Sequence, residues 1–150
     1  MRFGDIFSNQ MLWAAIIGWF LAQTLKIPFG YLMHKGWRWE SFFMPGGMPS
    51  SHSALVTSAA VAAGLYHGFN SAIFALAVTV AMVVVYDAAG VRRQAGIHAE
   101  KINVLVQELL KGHPINQEQL LEVIGHTPIE TIGGVILGII SGVGVWLAWH

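Results

Sequence analysis

Between Ser53 and Tyr86 the chain runs for 34 residues without an aspartate, glutamate, lysine or arginine. Such a stretch has no polar face to offer water, and it is too long for one membrane-crossing helix, which needs ~20 apolar residues. In its middle stands His67-Gly68-Phe69-Asn70, a sequence suited to a tight turn. The run is therefore expected to fold as a hairpin of two helices, about 53–66 and about 71–88. Met11 to Leu25 is also uncharged and stops at Lys26, and Thr131 to Trp149 adds a last uncharged run of 19 residues. The expectation is an all-α integral membrane bundle of about four helices, forming a single domain over residues 1–150.

Composition agrees with this reading. Charged residues make up 11% of the chain and hydrophobic ones 55%, whereas a soluble domain carries about 25% charged residues. Eight Lys and Arg balance eight Asp and Glu, so no basic patch exists to draw nucleic acid. The absence of cysteine excludes disulfides, thiolate catalysis and Cys-ligated metals. Near the N-terminus a lone Arg2 precedes a long apolar stretch with no small-x-small cleavage site before Lys26. That stretch is expected to stay as the first helix. Ala54, Ser58 and Ala62 recur every four residues, as do Gly134, Gly138 and Gly142. Small stripes of this kind let helices approach closely in lipid. Packing within one bundle is the first reading, a homo-oligomer the second.

Polar residues collect in two segments, 26–52 and 87–130, which four spans place on the same membrane face. In the first, Pro28 is expected to break or kink the opening helix, and Trp37 and Trp39 suit the membrane boundary. The second carries an amphipathic helix with Ile102, Leu105, Val106, Leu109 and Leu110 on one side, closed by Gly112 and Pro114. A short helix from Asn116 to Gly125 follows. This face holds seven of the eight Lys and Arg, so the positive-inside rule assigns it to the cytoplasm and both termini to the other side.

Three motifs on that face carry chemistry. Gly46-Gly47-Met48-Pro49-Ser50-Ser51-His52 leads into the start of an apolar helix. Hydroxyls and N–H groups at a helix N-terminus favour an anion, and His52 could protonate a leaving oxygen. The plainer reading makes Ser50 or Ser51 a helix cap. Asp87 and Arg92-Arg93 bound the next motif, where guanidinium groups suit phosphate and Asp87 would support them or merely neutralise one. In the third, Thr127-Pro128-Ile129-Glu130 is a capping box with proline in the first helical position. His126 stands just before it, four residues from Glu130, as in a His–acid pair. His34, His67, His98, His113 and His150 match no ligand set, and no metal is expected.

These motifs resemble the type 2 phosphatidic acid phosphatase superfamily. Pro49-Ser50-Ser51-His52 is similar to its Pro-Ser-Gly-His motif, and Gly125 to Gly134 is similar to its Gly-x-His-x-Pro-x-Asp segment. The nearest likeness is to its small divergent branch, the acid phosphatase/vanadium haloperoxidase-related membrane proteins. There a Gln-x-x-Lys precedes the Ser-Ser-His, Asp-to-Arg-Arg and His-x-Pro-x-Glu motifs; here it is Gln23 to Lys26. Against the wider superfamily Ser51 stands for glycine, Glu130 for aspartate, and Arg92 and Arg93 lie 34 and 33 residues before His126 instead of six.

The resemblance implies a lipid phosphate phosphatase working through a phosphohistidine, with no metal or other cofactor. His126 would be the nucleophile, Glu130 its orienting acid and His52 the general acid. Lys26, Ser50, Ser51 and Arg92 or Arg93 would hold the phosphoryl oxygens. The expected partners are a phosphorylated lipid and the surrounding membrane lipids. A non-catalytic membrane module that binds, senses or moves such a lipid is the alternative; it needs the same cationic pocket but not the two histidines.

Overall fold

A computed structural model describes residues 3–34, 42, 47–109 and 128–149. A 3-10 turn, Phe3–Ser8, leads into five α-helices: α1 (Gln10–His34), α2 (Ser51–His67), α3 (Ala72–Ala89), α4 (Val91–Leu109) and α5 (Pro128–Trp149). There is no β-strand among the described residues. The protein is an all-α membrane helical bundle. Among the described residues three helices, α1, α3 and α5, are long and apolar enough to cross a membrane. With 17 residues, α2 falls just short of them in length, and it packs against all three.

The expected hairpin is present as α2 and α3. Gly68 ends α2 with φ 87°, a left-handed conformation that a Cβ would oppose, and its N–H donates to Gly64 O at 2.9 Å. Ser71 then caps α3. Its Oγ accepts the Phe74 N–H at 3.2 Å and donates to Gly68 O at 2.8 Å. Phe69 and Phe74 meet edge to face with centroids 5.1 Å apart, folded over Gly64.

Close approaches fix how the helices run. Gly134, Gly138 and Gly142 of α5 lie in turn against Ser50 and Ser53, Ala54 and Thr57, and Ser58 and Val61 of α2. Farther on, Tyr66 Oη donates to Val145 O at 3.4 Å, so the two helices are parallel. In α1, Gly18 lies against Ala54 and Ser58 while Lys26 reaches Ser51, so α1 is antiparallel to α2. The glycine stripe of α5 is thus spent on α2, chiefly on its Ser53–Thr57–Val61 side, while Ser58 of the other stripe turns to Gly18 of α1, all inside one chain.

What fills the interior is small. Apart from Val145, every buried hydrophobic residue among the described residues is an alanine, joined by Ser50, Ser53, Ser58 and Ser141. The bulky side chains Phe20, Leu76, Met82, Ile140 and Leu147 face outward. In water that arrangement would forfeit the hydrophobic effect; in a bilayer the tails solvate the outer surface and close packing holds the helices together.

One expectation is corrected, and one helix is given its start. The first helix does not break at Pro28 but continues to His34. Proline removes only the N–H that would reach the Thr24 carbonyl, and a helix packed in a bundle tolerates that loss. The amphipathic helix begins earlier than the apolar residues suggest, at Val91, directly after Gly90. Its Ile102, Leu105, Val106 and Leu109 face outward, while Asn103 is buried. The short helix expected between Asn116 and Gly125 lies outside the described residues.

Candidate functional site

The bundle gathers polar side chains at one end, where α1 nears its close and α2 and α5 begin. Ser50 caps α2 as a cap should: its Oγ accepts the Ser53 N–H at 3.4 Å and the Ser53 hydroxyl at 3.1 Å. Its backbone N–H donates to the Glu130 carbonyl at 2.9 Å. The first turn of α5 is thereby tied to the first turn of α2. Proline at the first helical position of α5 explains the start there, because its missing N–H would have had no partner in the helix.

On the neighbouring face of α2, Ser51 meets α1. Lys26 is only 4% exposed, and its Nζ donates to Ser51 Oγ at 3.4 Å. Three turns of sequence-distant helix therefore converge: a cation from α1, two hydroxyls at the N-terminus of α2, and the backbone of Glu130 from α5. The groups turned toward this end are mostly donors, namely an ammonium, hydroxyls and the N–H ends of two parallel helices. Such a set suits the oxygens of an anion.

Of the residues singled out in the sequence, Lys26, Ser50, Ser51 and Glu130 are brought together. His52 is in the first turn of α2 but exposed, about 100° around the helix from Ser51. Asp87 is exposed near the end of α3. Arg92 and Arg93 are the second and third residues of α4, two and three beyond Gly90, which places their backbone close in sequence to the α3 end. His126 lies outside the described residues.

Two amide side chains without an assigned role prove to be buried. Gln23 precedes Lys26 by three positions, on the same face of α1; it is 9% exposed, and its Oε1 has no hydrogen-bond partner among the described residues. Its spacing from Lys26 was the available signal. Asn103, 7% exposed, sits on α4 off the apolar Ile102–Leu105–Val106–Leu109 side, and a lone amide there gave no warning of burial. Among the described residues no group of three His, Asp or Glu side chains could hold a metal ion.

A helical membrane bundle with a buried lysine and a serine-capped helix end at one boundary is the class this fold and site define. The chain belongs to the divergent PAP2 family, which it matches over residues 7–141, as the motifs led one to expect. It is also similar to the uncharacterized membrane protein YuiD of Bacillus subtilis (strain 168), 35% identical over 147 residues that span 91% of this chain and 93% of that protein. No solved structure matches it.

Proposed function

We propose that the protein is a multi-pass membrane phosphatase that hydrolyses a phosphate ester or diphosphate of a membrane lipid, with its active face toward the cytoplasm. The observation that carries this reading is the buried Lys26 amine on Ser51 Oγ, set at the N-terminus of α2 beside the start of α5. Phosphoryl transfer asks a protein chiefly to position the group and to stabilise negative charge, and this end of the bundle offers donors for both. Membership of the divergent PAP2 family supports the phosphatase class.

In the proposed mechanism the phosphate rests on Lys26, Ser50 and Ser51, with Arg92 or Arg93 completing the set. His126 attacks phosphorus, and the ester oxygen leaves as the alcohol with a proton from His52. Water then attacks the phosphorylated imidazole, releasing phosphate and restoring His126. Glu130 holds the imidazole in the attacking tautomer, and Asp87 supports the arginines. No metal enters these steps.

A second reading is favoured by one observation: the cationic part of the site is assembled inside the bundle, whereas His52 is exposed on another face of α2. A module that only binds or moves a phosphorylated lipid needs the first and not the second. Incubating the pure protein with phosphatidic acid, phosphatidylglycerophosphate and prenyl phosphates, and measuring free phosphate, separates the two. Phosphate release that vanishes with His126→Ala supports the enzyme. Binding without release supports the module.

A further inference from the structure

The outward face of α3 and α5 carries a feature the phosphate site does not use. Between the two helices lie two apolar hollows of about 390 and about 400 Å³. They share Met82 and Val85, so they form one groove. Its α3 side is a single stripe from Phe74 through Val78 and Met82 to Ala89, and its α5 side runs from Ile139 back to Thr131 and Pro128. At ~1.5 Å per residue, the fifteen steps from Phe74 to Ala89 give a length of ~22 Å.

We infer that this groove is the seat of the hydrocarbon chain of the phosphorylated lipid, and that the Phe69–Phe74 pair is its floor. The inference rests on the reading of the phosphate site given above. Three observations carry it. The groove ends at Thr131 and Pro128, one residue after and two before Glu130, whose carbonyl is bonded to the Ser50 N–H. A lipid whose phosphate sits at Ser50 and Ser51 thus begins its chain at the mouth of the groove. Lining side chains are almost wholly apolar, and α3 packs on α2 while barely touching α5, with Ala88 its one buried residue. At the far end the two phenylalanine rings are wedged over Gly64, where even a Cβ would meet Phe69 at 2.5 Å and Phe74 at 3.0 Å. They are backed by helix and stop a chain from passing.

A hydrocarbon leaflet is ~15 Å deep, half of a ~30 Å core. The groove is longer than that, so it suits one extended chain reaching past the bilayer midplane better than paired chains of ordinary leaflet length.

The test uses the full-length protein in nanodiscs and two matched series, straight-chain alkyl phosphonates and alkyl alcohols of increasing length, with binding read by native mass spectrometry. Affinity is expected to rise with chain length and then level off. In Phe69→Ala, and in the more conservative Phe74→Leu, the levelling point should move to longer chains. Ala81→Trp, which fills the groove midway, should lower the ratio of long-chain to short-chain affinity about tenfold, the effect of one misfitted bulky group. A levelling point that stays put in both phenylalanine variants, or a ratio unmoved by Ala81→Trp, overturns the groove. If the alcohols follow the expected pattern while no phosphonate gains affinity over its matched alcohol, the groove stands and the phosphate reading falls.

Discussion

Replacing Gly134 with alanine should separate α5 from α2 at the site itself. A Cβ at this position would collide with the Ser50 carbonyl oxygen and come within 2.9 Å of Ser53 Cβ and 3.0 Å of Ser50 Cβ. None of these atoms is the loose end of a flexible side chain; all belong to the capped first turn of α2. The helices must therefore move apart, at about 1–3 kcal/mol for overpacking. The shift also stretches the 2.9 Å bond from Ser50 N–H to Glu130 O, worth about 1 kcal/mol.

Alanine favours a helix over glycine by up to about 1 kcal/mol, which blurs the reading of any single variant. Gly144→Ala supplies the control, because a Cβ there has nothing within 4 Å and the propensity gain is the same. The difference between the two variants should be about 2–4 kcal/mol, Gly134→Ala being the less stable. Reversible unfolding in mixed micelles, followed by helical ellipticity, measures it. Gly133→Ala should fall between them, since its nearest neighbour is Met48 Cε at 3.3 Å, the far end of an unbranched side chain. Equal stability of Gly134→Ala and Gly144→Ala would refute the parallel seating of α5 on α2.

His126→Ala should abolish phosphate release and the acid-labile phosphoenzyme, EDTA should leave turnover unchanged, and vanadate should inhibit; hydrolysis that survives His126→Ala removes the nucleophile assignment. Lys26→Met should weaken lipid phosphate binding by at least about tenfold, with Lys26→Arg intermediate, as judged by titration with a non-hydrolysable phosphonate. Gln23→Leu, which keeps the volume and removes the orphaned Oε1, should be as stable as the parent or more so but slower in turnover; a stable variant with full activity would confine Gln23 to packing. A cysteine placed at Lys111 should be shielded from an impermeant thiol reagent in intact cells and one after His150 labelled, the reverse pattern overturning the cytoplasmic assignment.

Much of the fold could be read from the chain because its signals are local. The charge-free run with His67-Gly68-Phe69-Asn70 at its centre set the α2–α3 hairpin to within two residues at each end. Pro128 and Ser50 announced the starts of α5 and α2 through capping chemistry that needs no tertiary context. The glycine and alanine stripes told that helices would meet closely, but not their register: that Gly134 faces Ser50 rather than a later turn depends on the relative slide of two helices. A break at Pro28 was expected because its cost was judged on an isolated helix, whereas in the bundle α1 continues through it to His34. Gln23 and Lys26 were visible as a motif, yet their burial follows from where α1 crosses α2, which no spacing within α1 encodes.

An interior of alanine, glycine and serine also changes how this protein must be interrogated. Truncating side chains one by one to alanine would pass over much of the helix contact outside the polar site, because at Ala14, Ala22, Ala54, Ala62 and Ala63 there is nothing left to remove. The large residues such a scan would strip away mostly face the lipid. Exchanging Leu, Ile, Val and Phe among one another there alters little more than the choice of solvent contact. Sensitivity runs in the opposite direction, toward enlargement: a scan that adds bulk would draw the α1–α2–α5 contact as a line of lethal positions across a tolerant exterior. Natural variation is subject to the same filter, so sequence drift in this bundle should show hydrophobic identity wandering freely while side-chain volume at the contact line stays fixed.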